Sequence, residues 1–277
     1  MVMTLYPGSV PMPAYANPTL NPYGLNAYGK TPSAPLPLYQ TSISNPGKPF
    51  EVQLSAPKPL NIGQPGWLDL QVSDPRTGWP PAQLNIVHEK PAHIFIVNQD
   101  LSDFQHVHPE AMRPGLMRIP VQFNAPGPYR LFLQFTTPQQ GEVTLNKPFQ
   151  LGNGITSAAK PMFPDDHLPK MVEGYQFRVS GLPTRQQPMS MFHVEVLKSG
   201  MPVGNIQPYL GAGAHGVIIS QDGQSFIHTH PMAEPRNGFY QSPIMFHTNI
   251  PQPGLYKMWV QTQIDGRVRT VDWTFRV

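Results

Sequence analysis

The chain of 277 residues contains no cysteine. Disulfides are therefore excluded, together with zinc fingers, iron–sulfur clusters and every other thiolate metal site, while the compartment stays open. Charge is scarce too: Asp, Glu, Lys and Arg make up 13% of the residues, and the net charge is only +3. The 19 Lys and Arg are scattered singly, so the basic stripe that neutralises phosphates is missing and nucleic acid is not expected as a partner. No apolar run approaches membrane-spanning length, and no membrane span is expected. The opening M-V-M-T-L-Y-P-G-S-V-P-M-P lacks a basic n-region, and Pro7, Pro11 and Pro13 interrupt any apolar h-region. Ala14-Tyr15-Ala16 therefore does not read as the end of a secretory signal.

What is abundant is turn chemistry. With 36 Pro and 23 Gly, the composition suits short strands joined by turns far better than helices. From Phe50 onward the apolar residues alternate, as in F-E-V-Q-L (50–54), W-L-D-L-Q-V (67–72), I-P-V-Q-F (119–123) and Y-R-L-F-L-Q-F (129–135). That period of two is the strand signature. The same order returns as Y-Q-F-R-V (175–179), M-F-H-V-E-V (191–196), P-I-M-F-H (243–247) and Y-K-M-W-V-Q-T (256–262), and each copy closes on a strand carrying Phe149 or Phe275. Pro126-Gly127-Pro128-Tyr129-Arg130 matches Pro253-Gly254-Leu255-Tyr256-Lys257.

A copy of roughly 100 residues with about seven short strands and regular turn signals meets the specification of an immunoglobulin-like sandwich. The expected fold is all-β: two tandem immunoglobulin-like β-sandwich domains at 49–152 and 173–277, joined by an aperiodic linker at 153–172 that carries His167. Residues 1–48 hold nine Pro and five of the ten Tyr but no acidic residue. Such low-complexity sequence cannot bury enough apolar surface to order itself, so an extended or disordered tail is expected. Its tyrosines and prolines lose little entropy on docking, which leaves open an arm that lies on a protein partner or on another copy.

Six of the ten histidines fall in one phrase written twice, H-I-F-I-V-N-Q-D-L-S-D-F-Q-H-V-H-P (93–109) and H-G-V-I-I-S-Q-D-G-Q-S-F-I-H-T-H-P (215–231). In the second, Asp222-Gly223 signals a two-residue hairpin loop. That register sets Ile219 against Phe226, Val217 against His228 and His215 against His230. Residues two apart share a face, so His215, His228 and His230 project to one side, with opposed Cβ atoms about 4.5–5.5 Å apart. Three imidazoles at that spacing form a known zinc arrangement, and imidazole equally suits copper or nickel.

In the first phrase Asp100-Leu101 replaces Asp-Gly, and Leu does not readily take the positive φ of a tight turn. A symmetric widening to include Gln99 and Ser102 keeps His93 opposite His108, so that His93, His106 and His108 form the same trio. A slip of one residue would turn His93 to the opposite face. Either trio can equally be a buried hydrogen-bonded cluster, because Val217, Ile219 and Phe226 share the histidine face and suggest a core there. His88, His193 and His247 have no counterpart in the other copy and read as ordinary structural or surface residues. Glu110 and Met232 follow the phrases as conceivable fourth ligands but read better as loop residues, and Met189-Ser190-Met191 reads as core filling.

The stretch E-K-P-A-H-I-F-I-V-N-Q-D-L-S-D-F-Q-H-V-H-P-E (89–110), with P-G-P-Y-R-L-F-L-Q-F downstream, resembles the YtkA-like and FixH-like β-sandwich proteins of bacteria. The second copy's L-G-A-G-A-H-G-V-I-I-S-Q-D-G-Q-S-F-I-H-T-H-P (210–231) is similar. The resemblance covers about residues 50–277. It implies an immunoglobulin-like fold, an envelope or extracellular setting and a link to heavy metals, chiefly copper, with His93, His106, His108, His215, His228 and His230 as the residues concerned. The chain departs from that pattern in lacking a visible signal or anchor and in adding the tail. Two functions follow: a non-enzymatic copper- or zinc-binding protein with one trio per repeat, or a structural subunit of a larger assembly whose tail docks on partners. Enzyme chemistry is not expected, since no acid or base is repeated beside the histidines; Asp100 and Asp222 sit at the hairpin tips.

Overall fold

A computed structural model describes residues 38–40, 50–152, 160–165, 169–231, 233–250 and 252–277. His167, Met232 and most of the 1–48 tail lie outside the described residues. The chain is all-β. The first repeat comprises β1 (Leu38–Gln40), β2 (Glu51–Ser55), β3 (Pro65–Ser73), β4 (Ala92–Asn98), β5 (Phe104–Val107), β6 (Glu110–Arg113), β7 (Leu116–Gln122), β8 (Gly127–Thr137) and β9 (Gly141–Leu151). The second comprises β10 (Lys170–Val172), β11 (Tyr175–Ser180), β12 (Met189–Lys198), β13 (Met201–Pro202), β14 (His215–Ser220), β15 (Phe226–Thr229), β16 (Ile244–Asn249), β17 (Leu255–Ile264) and β18 (Arg267–Arg276).

Each repeat is a two-sheet sandwich. In the first, a sheet ordered β1-β9-β8-β4-β5 faces one ordered β2-β3-β7-β6; in the second, β15-β14-β17-β18 faces the sheet built on β11, β12 and β16. The repetition is strand for strand, with β2, β3, β4, β5, β7, β8 and β9 returning as β11, β12, β14, β15, β16, β17 and β18. Two strands fall where the sequence reading placed tail and linker. Leu38–Gln40 pairs antiparallel with β9, and Lys170–Val172 pairs with β11.

Alternation explains both sandwich cores. Leu54, Leu68, Leu70, Ile119, Leu131, Leu133 and Leu145 point inward in the first repeat; Phe177, Phe192, Val194, Ile218, Phe246, Met258 and Trp273 do so in the second. The Tyr residues of the matched Pro-Gly segments make the same corner in both, Tyr129 Oη donating to the Ala125 carbonyl and Tyr256 Oη to the Gln252 carbonyl, each at 2.8 Å. Met189 and Met191, expected as core filling, are 56% and 54% exposed on the outer face of β12. It is Ser190, between them, that is buried, because the strand alternates in the opposite phase to the one assumed.

The strands β4 and β14 break the simple alternation, since His93–Val97 and His215–Ser220 are buried at every position. One face of each strand enters its own sandwich. The other enters a third apolar cluster, made of Phe95, Val97, Leu101, Phe104 and Phe132 from the first repeat and Val217, Ile219 and Trp259 from the second, with Phe226 and Met162 packed against it. The sandwiches thus stack sheet on sheet. Phe104 lies parallel to Trp259 with centroids 4.6 Å apart, and Phe132 parallel to Phe226 at 4.6 Å. The second hairpin tip is clasped from the first repeat, where Arg130 Nη2 donates to the Asp222 carbonyl (3.4 Å) and Asn146 Nδ2 to the Gly223 carbonyl (3.0 Å).

Phe104 is buried in this seam and absent from either sandwich core. Phe104→Ala is expected to destabilise the chain by about 3–5 kcal/mol. Trp79→Ala, at a position 74% exposed, should stay within about 0.5 kcal/mol. Urea unfolding of both variants checks the pair; equal midpoints would show that the seam contributes nothing.

Candidate metal centre

Both hairpins carry the histidines in the expected register. Ile219 pairs with Phe226 and Val217 with His228, while Val97 pairs with Phe104 and Phe95 with His106. Continued by one step, the registers set His215 opposite His230 and His93 opposite His108. The loop differs from the two-residue form expected for the second copy. Ser220 N donates to the Ser225 carbonyl (3.0 Å) and Gly223 N to the Ser220 carbonyl (2.8 Å), which makes a four-residue loop, 221–224.

The first hairpin has the same loop at 99–102. Asn98 N donates to the Asp103 carbonyl (3.4 Å), Leu101 N donates to the Asn98 carbonyl (3.1 Å), and Leu101 takes φ +55° where Gly223 takes +68°. A β-carbon at Gly223 would come within 2.5 Å of the Arg130 side chain. Leucine is tolerated at 101 because its side chain, 2% exposed, is buried in the seam. The symmetric widening thus holds in both copies and keeps each trio on one face.

His93, His106 and His108 form one group and His215, His228 and His230 another, with all ligand atoms of a group within 4.8 Å of one another. His93 Nδ1 is 3.2 Å from His106 Nε2 and 3.1 Å from His108 Nε2; His215 Nδ1 is 3.4 Å from His228 Nε2. Nitrogens bound tetrahedrally at 2.0–2.1 Å to one zinc ion stand about 3.3 Å apart, so the spacing fits a shared ion.

Neighbouring acceptors set the tautomers. His93 Nε2 meets the Val87 carbonyl oxygen at 3.1 Å and His215 Nε2 the Tyr209 carbonyl oxygen at 2.8 Å. A carbonyl only accepts, so both Nε2 atoms carry the proton and both Nδ1 atoms face the trio as lone pairs. His106 Nδ1 donates to Gln261 Oε1 (2.7 Å) and His228 Nδ1 to Gln134 Oε1 (2.6 Å). Gln261 Nε2 in turn donates to Thr270 Oγ1 at 3.1 Å. The facing Nε2 atoms of His106 and His228 are therefore lone pairs as well. His93 Nδ1 and His106 Nε2 cannot hydrogen-bond each other in these tautomers, and a cation placed between them would satisfy both. His230 Nε2 is buried with no hydrogen-bond partner, and an ion would satisfy it too.

Burial keeps all six imidazoles neutral. It lowers His93 to about 4, His215 to about 3, and His108 and His230 to about 2 each. His106 and His228 are held well below the usual value, by burial first and then by neighbouring imidazoles. Neutral imidazole is the metal-binding form, so the ligands are ready at pH 7 without losing a proton.

Three participants were not anticipated. Gln134 and Gln261 orient the central histidines. Their signal was present, as each is the sixth residue of the matched strands Y-R-L-F-L-Q and Y-K-M-W-V-Q, a polar side chain two positions beyond Phe132 or Trp259 on the seam face. His88, read as ordinary, stacks on His230 with centroids 3.7 Å apart and stands edge-on to His215 at 5.7 Å. No repeat signal marks it, because Leu210 occupies the matching turn of the second copy. His193 and His247 sit on β12 and β16, away from the trios, as expected. Glu110 is exposed on β6 opposite Arg118 and joins neither trio.

The fold and site define a tandem β-sandwich protein with a histidine-lined seam. The chain matches the family described as a domain of unknown function, DUF8832, over residues 45–151 and 170–277, and belongs to that family as two copies. No curated protein sequence matches it. Dimeric latent PorU from Porphyromonas gingivalis aligns with 83% of the chain at 13% identity and a TM-score of 0.25. Salmonella alpha-2-macroglobulin reacted with methylamine aligns with 87% at 14% identity and a TM-score of 0.23. The chain spans 20% and 16% of those two structures' chains. Among the described residues no helix is long and apolar enough to cross a membrane.

Below the ordinary imidazole value of 6.5, the unfolded chain takes up protons that the folded histidines refuse until about pH 4 or lower. The unfolded state binds more protons throughout that window, so stability falls as pH falls. Metal-free protein is expected to show a urea midpoint that drops steadily from pH 7 to pH 4.5. A midpoint flat across that range would contradict the burial of these imidazoles.

Proposed function

We propose that this protein binds copper or zinc without catalysing a reaction, with one ion at His93, His106 and His108 and one at His215, His228 and His230. The observation that carries this reading is the convergence of lone pairs. In each trio a backbone carbonyl and a glutamine fix two imidazoles with their unprotonated nitrogens facing each other at 3.2 and 3.4 Å. Hydrogen-bonded outer partners of this kind are what hold metal-ligating histidines in place.

The ligand set suits borderline ions such as Zn(II) and Cu(II), and a three-coordinate set of neutral nitrogens also suits Cu(I). Copper is preferred on the resemblance to the YtkA-like and FixH-like proteins. The groups hydrogen-bonded to the trios are amides and carbonyls, so a holding or transfer role fits better than general acid–base chemistry.

Metal analysis after loading with Cu(II) or Zn(II) and desalting is expected to give two ions per chain. His108→Ala and His230→Ala, both at half-buried positions, should each retain one. Wild-type protein that retains no ion, or variants that retain as much as wild type, would overturn the reading.

A further inference from the structure

The two trios belong to different repeats but do not lie apart. Within the first, ring centroids are 5.5, 4.9 and 4.6 Å apart; within the second, 5.6, 4.7 and 4.3 Å. Across the seam, His93 is 5.4 Å from His228 and 6.3 Å from His215, while His106 is 5.9 Å from His215 and 6.0 Å from His228. The contact between His93 and His228 is thus shorter than the widest spacing inside either trio. A single ring, Phe95, packs on both central histidines, at 4.3 Å from His106 and 4.9 Å from His228.

The orienting groups are exchanged across the seam. Gln134 lies beside His93 in its own sheet yet accepts from His228 of the second repeat. Gln261 lies beside His215 yet accepts from His106 of the first. Neither repeat alone can fix the tautomer of its own central histidine. His88 adds a first-repeat imidazole stacked against the second trio. A cavity of about 120 Å³, lined among others by His88, His93, Gln134, Glu142, His228 and His230, opens the seam to solvent there and supplies an entry path.

From this geometry we infer that the six histidines form one binuclear centre assembled by the docking of the two sandwiches, in which each repeat completes the other's half. The inference rests on the metal-binding reading above and adds two requirements. The ions must lie close enough to sense each other, and each half must depend on a glutamine of the opposite repeat.

Cu(II) chloride titrated into the full chain, followed by copper analysis and electron paramagnetic resonance, tests the first requirement. Two coppers per chain are expected, with a signal that at two equivalents broadens or loses intensity through spin–spin coupling relative to one equivalent. Two coppers giving additive, single-ion spectra would overturn the binuclear centre while leaving metal binding intact, as would one copper per chain. No copper bound would overturn the metal reading itself and the inference with it.

Gln134→Met, which keeps side-chain volume but removes the acceptor, tests the second. It is expected to weaken one of the two coppers by about 10–100-fold, the range for loss of an outer-shell partner. That weakened copper should be the one lost in His230→Ala, on the other repeat. Gln134→Glu, which restores an acceptor oxygen, should recover the affinity. Unchanged binding of both coppers in a folded Gln134→Met protein, or weakening of the copper lost in His108→Ala instead, would overturn the exchange of partners.

Discussion

The β4 and β14 strands are apolar on both sides, and a strand of that kind has to be covered on both sides. The sandwich interior covers one face. The other is left to the neighbouring repeat, and the stacking of Phe104 on Trp259 and Phe132 on Phe226 is how the chain covers it. Aromatic pairs in offset or parallel contact add about 0.5–1.5 kcal/mol each beyond the area they bury. The seam holds the two sandwiches in a fixed relation, and that relation brings the histidine-bearing ends of β4 and β14 together.

A buried interface sets strict terms for any polar group within it. An amide or imidazole buried without a partner costs about 1–3 kcal/mol. The seam meets those terms by exchange, with each glutamine accepting from a histidine of the other repeat and each His93-type nitrogen returned to a carbonyl of its own turn. What remains unmet is the buried His230 Nε2, which has no hydrogen-bond partner, beside the facing nitrogens of His93 and His106 and of His215 and His228. Burial and neutral charge are what a preorganised metal site needs, because the ion then displaces no proton and meets ligands already aimed.

The duplication is not perfect, and the departures follow the seam. Leu101 is held at positive φ, a conformation costing about 1–3 kcal/mol, and its burial among the seam aromatics offsets that strain. Gly223 at the matching tip lies under Arg130, whose side chain would have to shift to admit a β-carbon. The turn before the hairpin carries His88 in one copy and Leu210 in the other, both at positive φ, so only the second trio has an extra imidazole stacked against it. These differences make the two halves of the site related but not identical.

Period-two alternation, turn residues and an internal repeat determined the all-β tandem architecture, because strand faces and turn conformations are local properties. The histidine register was local as well. A hairpin symmetric about its loop keeps the same partners whether two residues or four form the turn, so both trios were legible even though the loop length was not. The unbroken apolar runs H-I-F-I-V and H-G-V-I-I already carried the mark of a doubly covered strand, but nothing in one strand says what covers it. That the cover is the other repeat, that Gln134 and Gln261 cross over, and that His88 joins the cluster depend on contacts between residues more than 90 positions apart. Only the packing of one sandwich on the other decided them.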